Sequence, residues 1–129
     1  TSGPGYSTQD DGYQGMKRLL NQRRPPTAVF ARNDFTAIGA MCALHDAGLS
    51  VPDEVSVVGF DNVPLSAYTS PPLTTVDQPT VEQGRQAASL LLERIEGGQT
   101  RERKEINLSC HLIVRQSTGQ RKAARRQTV

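Results

Sequence analysis

Val55-Ser56-Val57-Val58-Gly59-Phe60-Asp61-Asn62 is a short apolar run, rich in β-branched residues, that stops at a polar pair. The chain does this twice more. Ala28-Val29-Phe30-Ala31 stops at Asn33-Asp34, and Leu73-Thr74-Thr75-Val76 stops at Asp77-Gln78-Pro79. Runs of this length and composition read as buried strands. Helical segments separate them, which predicts an α/β chain with a mostly parallel sheet flanked by helices. Ligands of such sheets bind beyond the carboxyl ends of the strands. The three polar pairs fall at those ends.

Working outward, Tyr13, Met16, Leu19 and Leu20 recur at helical spacing, so a helix is predicted over about Gln9 to Asn21. Asp10 and Asp11 near its start and Lys17 and Arg18 near its end suit the helix dipole, and Pro25-Pro26 ends it. A second helix begins at Asn33 or Asp34, either of which can cap it. Ala37, Ile38, Met41, Cys42 and His45 are predicted to line one face, and Gly48 to stop it, with Leu49 packing back. Val63 to Pro72 holds three prolines and reads as a loop or one short turn. Thr80-Val81-Glu82-Gln83 has the form of a capping box, with Thr80 as cap. Its helix runs to about Glu96 with Val81, Gly84, Ala88, Leu91, Leu92 and Ile95 on one face. Ile106, Leu108, Cys110, Leu112 and Val114 alternate with polar residues, which predicts a strand with one buried face.

The 129 residues suffice for one domain with a core, and no apolar stretch is long enough to cross a membrane. No export signal is visible in Thr1-Ser2-Gly3-Pro4-Gly5. Charge is unevenly placed: Arg115, Arg121, Lys122, Arg125 and Arg126 crowd the last fifteen residues, which contain no acid. Residues 119–129 read as a basic, disordered, solvated tail, because they offer no aromatic to stack on bases and no patterned helix to enter a groove. Cys42 and Cys110 are far apart on apolar faces and read as buried, reduced core residues, in keeping with a cytoplasmic home.

The chain contains no metal-ligand spacing, no Gly-x-Ser-x-Gly turn, no phosphate loop and no dinucleotide fingerprint. His45 and His111 are isolated. An enzyme is therefore not expected, nor a cofactor, although Asp34 or Asp61 as a base defines a small-enzyme alternative. The strand-end Asn, Asp and Gln side chains are directed donors and acceptors, suited to a polyhydroxylated small molecule. The plainer readings are that Asp34 only caps its helix and that Asp61-Asn62 only shape a turn.

Four ordered motifs resemble the LacI/GalR family of bacterial transcriptional repressors. They are Gly12-Tyr13-Gln14-Gly15-Met16, Pro26 to Asp34 followed by Ala37-Ile38-Gly39-Ala40, Gly48 to Asn62, and Pro72 to Pro79. The resemblance covers about Gly5 to Thr118. It implies the C-terminal lobe of a periplasmic-binding-protein-like (type I) fold, incomplete here, with residues 1–118 as a partial sensor domain. A small effector, a sugar or a nucleobase or nucleoside, is then bound between two lobes, and its binding changes operator affinity. By motif, Asn33 and Asp61 match effector contacts, and Gln78 matches one at the crossover between lobes. Ser7, with Tyr6 beside it, falls where the family often places a stacking aromatic. The Asp34 helix and the Leu65 to Pro71 loop match the homodimer interface, with Phe35 and Tyr68 as contacts. Operator DNA is expected to be reached only through a helix-turn-helix domain that this chain lacks, and residues 80–98 to pack on an absent N-terminal lobe. A solute-binding protein of a sugar transporter shares the fold and is the alternative.

Overall fold

The computed structural model describes residues 8–97 and 103–120. In order, these form α1 (Gln9–Leu20), β1 (Ala28–Phe30), α2 (Asp34–Asp46), β2 (Ser56–Val58), a 3-10 turn (Pro64–Ala67), β3 (Thr75–Asp77), α3 (Thr80–Glu96) and β4 (His111–Ile113). The chain divides into two units. The first is Thr1–Asp77 with Leu112–Val129, and the second is Gln78–His111.

In the first unit β1 and β2 pair in parallel, with Ala28 opposite Ser56, Val29 opposite Val57 and Phe30 opposite Val58. A parallel bridge from Val58 to Thr74 carries the ladder on towards β3, which is hydrogen-bonded to β4. The expected parallel pairing thus holds between β1 and β2 and across the bridge to Thr74, with shorter strands. Beyond β4 the chain stitches the sheet without being a strand itself. The Ser117 hydroxyl donates to the Val57 carbonyl at 2.6 Å and accepts from the Thr74 amide at 2.8 Å. The Val57 amide donates to the Ser117 carbonyl at 2.8 Å. This attachment reaches Gly119, whose amide donates to Ser56 Oγ at 3.2 Å. Residues 121–129 lie outside the described residues.

The core joins Met16 of α1, Ala37, Ala40, Met41, Ala43 and Leu44 of α2, and Ala31, Val55, Val57 and Leu73 of the sheet. α1 carries the capping box instead of α3: Thr8 Oγ1 accepts from the Asp11 amide at 3.2 Å, and Asp11 Oδ2 accepts from the Thr8 amide at 2.9 Å. The two helices meet backbone to backbone. A Cβ on Gly39 would lie 1.8 Å from the Gln9 carbonyl oxygen, and one on Gly12 2.0 Å from that of Thr36. At the far end of the contact the Tyr13 hydroxyl donates to Asp46 Oδ2 at 2.7 Å, which raises the Tyr13 pKa.

Four expectations are corrected. Cys42 and His45 are exposed, because α2 buries the neighbouring arc of Ala37, Ala40, Met41 and Leu44 against the sheet and α1. Cys110 is exposed as well. The alternating stretch from Ile106 forms a strand only over His111–Ile113, and Ile106, Leu112 and Val114 are exposed. Alternation sets which side chains share a face, but burial needs a covering layer. Thr80 is not a cap: α3 starts one residue earlier, with Pro79 at the cap position and no side-chain capping bond.

In the second unit, α3 keeps its predicted length and has no buried residue. Val81 is 86% exposed and Ile95 69%, and Leu91 and Leu92 are exposed too. Its polar face is tied locally. Glu82 accepts from Arg85 Nη2 at 2.7 Å and Gln86 Nε2 at 2.6 Å, and these bonds hold its carboxyl down at about 2.

Candidate functional site

The carboxyl ends of β1 and β2 build the candidate site, and the parallel register brings them side by side. Two backbone bonds lock them together. The Ala31 amide donates to the Val58 carbonyl and the Asp34 amide to the Phe60 carbonyl, both at 2.8 Å. On the next strand pair the Gly59 amide donates to the Thr74 carbonyl and the Asp61 amide to the Val76 carbonyl, both at 2.9 Å. The polar pairs therefore share one rim.

Of the Asn33-Asp34 pair, either of which could cap α2, the cap is Asn33 and not Asp34. Asn33 Oδ1 accepts from the Thr36 amide at 2.8 Å, and the Asn33 backbone is extended. Asp34 is the first helical residue and is completely buried. Its Oδ1 accepts from the Thr75 hydroxyl at 2.5 Å, and its Oδ2 from the Val63 amide at 2.8 Å. Burial of a carboxylate is tolerated only when it is hydrogen-bonded in this way. Asp34 thus clamps the end of β3 to the turn after β2. Gly59 makes room for it: a Cβ there would lie 2.2 Å from Asp34 Oδ1.

Asp61 and Asn62 turn the chain sharply at the rim. Their φ values are 105° and 51°, in the region that favours glycine. Each such residue costs on the order of 1–3 kcal/mol and persists only where the surroundings enforce it. Three successive amides supply the enforcement. Asp61 donates to the Val76 carbonyl, Asn62 to Thr75 Oγ1 at 3.3 Å, and Val63 to Asp34 Oδ2. The Asn62 side chain donates from Nδ2 to Asp77 Oδ1 at 2.9 Å. Backbone strain of this kind clusters at functional sites.

The sequence reading passed over two aromatics at the same rim. Phe30 closes β1 and is 66% exposed, although its strand neighbours are apolar. Phe60 lies on the adjoining strand end, edge-to-face with Phe30 at a 6.3 Å centroid separation and an interplanar angle of 83°. Such a pair presents an apolar surface of fixed shape beside the polar residues. The available signal was positional: each aromatic is the last large apolar residue before a polar pair.

Asn33, Asp61, Phe30 and Phe60 thus belong to one rim. Gln78 is the first residue of the second unit, where its carbonyl accepts from the Thr80 amide at 2.8 Å. Tyr6 and Ser7 lie outside the described residues. Phe35 and Tyr68 are both exposed, Tyr68 at 84%. A groove of about 470 Å³ runs between α2 and the loop after the 3-10 turn, lined by Ile38, Met41, Cys42, His45, Asp46, Thr69 and Ser70. No cluster of His, Cys, Asp and Glu able to hold a metal ion occurs among the described residues. No helix among them is long and apolar enough to cross a membrane.

The sequence profile of a family described as "Periplasmic binding protein-like domain" matches residues 2–118. The chain is 46% identical over 112 residues to the HTH-type transcriptional repressor PurR of Haemophilus influenzae, a match that spans 84% of this chain and 33% of the repressor. Among solved structures it is similar to a LacI family transcriptional regulator from Enterococcus faecium with bound ribose. There the TM-score is 0.74 and the identity 38%, over 89% of this chain and 42% of the other. It is also similar to the transcriptional regulator CelR in complex with cellobiose, at a TM-score of 0.81 and 40% identity, over 88% of this chain and 34% of CelR. The chain spans about a third of the length of the curated relatives it matches.

Proposed function

Because the chain belongs to the periplasmic binding protein-like domain family, in the branch of the LacI-type transcriptional regulators, we propose that it supplies one wall of an effector site whose occupancy sets operator affinity. The observation that carries this reading is the strained, fully anchored Asp61-Asn62 turn beside the exposed Phe30 and its half-buried edge-to-face partner Phe60. An aromatic face next to directed polar groups fits a flat or ring-shaped, hydroxyl-bearing molecule. The ribose and cellobiose bound by two similar regulators support a sugar. Nucleobases and nucleosides are the second class of candidates.

In this reading Asp61 accepts hydrogen bonds from two adjacent hydroxyls of the effector. Asn33 holds α2 with its Oδ1, so a bond to the effector is donated from its Nδ2. Gln78 contributes from the crossover, and Tyr6 or Ser7 takes the position of the family's stacking aromatic. The carboxylates act as acceptors, and the role is binding rather than catalysis. Phe35, Tyr68 and the α2 groove form the homodimer contact, an assignment supported by their exposure and apolar lining. Operator DNA is contacted by a helix-turn-helix domain of the kind named in the repressor relative, which gives the protein a cytoplasmic place of work.

Calorimetric titration with ribose, cellobiose and a panel of nucleosides tests the assignment. Asp61→Ala is expected to weaken the binding ligand by roughly 10- to 100-fold, the loss of one or two hydrogen bonds to a charged acceptor. Unchanged affinity in that variant would remove Asp61 from the site.

A further inference from the structure

The turn that carries Asp61 is held from its far side by a residue with no place in the effector reading. Arg115 follows β4 and is half-buried. Its guanidinium donates to Asn62 Oδ1 at 2.7 Å, to the Leu73 carbonyl at 2.7 Å and to Ser66 Oγ at 3.0 Å. Its own amide donates to Thr74 Oγ1 at 2.9 Å. Ser66 is fully buried, and its hydroxyl in turn donates to the Val63 carbonyl at 2.7 Å. The rigid guanidinium fork therefore reaches both ends of the segment that starts at Asn62.

The acceptors are informative. These three bonds go to neutral oxygens, so the fork acts here as a geometric template, fixing several directions at once. Because Arg115 occupies Oδ1 of Asn62, the amide is oriented with Nδ2 towards Asp77. A single side chain at φ 51° is thus held from two sides. Asp77 is also the last residue before the second unit.

We propose that Arg115 is a positioning residue for the effector wall. It keeps Asn62 in its left-handed conformation and thereby aims Asp61. The last step of the claim, an effect on binding, rests on the reading of Asp61 as an effector contact.

The test uses the full chain and two readouts. Backbone amide–Hα coupling constants and the Asn62 side-chain amide resonances report the turn without any ligand. Arg115→Ala is expected to shift the Asp61 and Asn62 couplings to negative-φ values and to release the Asn62 amide, and Arg115→Lys to do so in part. Titration with ribose and cellobiose reports binding. Arg115→Ala is expected to weaken the sugar that binds by at least about tenfold. Asn62→Gly added to Arg115→Ala should restore most of that affinity, because glycine takes positive φ freely. A residue that merely stabilised the fold would not be rescued in this way. Arg115→Gln, too short to span Leu73 and Asn62 together, is read identically if Arg115→Ala does not fold. Couplings unchanged in the Arg115 variants, or affinity not restored by Asn62→Gly, would overturn the proposal. If neither sugar binds the wild-type chain, the sugar reading fails by itself, and the couplings alone decide the role of Arg115.

Discussion

Asp34 shows how much rests on one buried carboxylate. Its two oxygens are the acceptors for the Thr75 hydroxyl proton and for the Val63 amide. Asp34→Ala removes both charge-assisted bonds and strands the buried hydroxyl, for an expected loss of roughly 3–5 kcal/mol. Urea unfolding measures this directly, and a loss below about 1 kcal/mol would refute the clamp role. The sequence made the Asn33-Asp34 pair visible but not its division of labour. Both residue types cap helices, and at adjacent positions either can do so. Only the tertiary partners, twenty-nine and forty-one residues away, separate the cap from the clamp. Phe30 was illegible for a related reason: an apolar residue at a strand end looks like core until the structure shows it mostly exposed.

At the scale of elements, the approach of α1 to α2 is set by two glycines. Gly39→Ala places a methyl group 1.8 Å from a carbonyl oxygen of α1, and backbone cannot yield as a flexible side chain would. The expected cost is about 3 kcal/mol, with α1 amides losing exchange protection before those of β1 and β2. Gly84→Ala is the control. Nothing lies within 4 Å of its added methyl, so α3 should gain about 0.5–1 kcal/mol from propensity alone. Equal effects at the two positions would contradict the packing. Helix limits were legible because apolar period, caps and stop signals agree: α1 and α2 begin and end within a residue or so of expectation. The buried arc of α2 was not. A helix covered on two sides has a wide apolar arc, and the sequence alone does not say that Cys42 and His45 fall outside it. The α3 cap failed because Pro79, with its fixed φ, is itself a good helix-entry residue.

At the scale of the whole molecule, apolar surface is open among the described residues on the α3 face of Val81, Leu91, Leu92 and Ile95 and on the α2 side with Phe35 and Tyr68. Contiguous apolar surface of this kind is seldom left in water. The chain is expected to self-associate and to bind a hydrophobic dye, and two variants should part the surfaces. Leu91→Gln with Leu92→Gln should abolish most dye binding, whereas Tyr68→Asp should lower the sedimenting mass and leave dye binding unchanged. A wild-type chain that sediments as a monomer with little dye bound would contradict both assignments. The same molecule keeps its stability and its selectivity on different residues. Asp34, Gly59 and Thr75 lock the strand ends from beneath, while Phe30, Phe60 and Asp61 stand at the rim above them. The two sets consist of different residues, so a change in one need not disturb the other. Such an arrangement lets descendants of one ancestor be retargeted to new small molecules by single substitutions, with little loss of foldedness at any intermediate step.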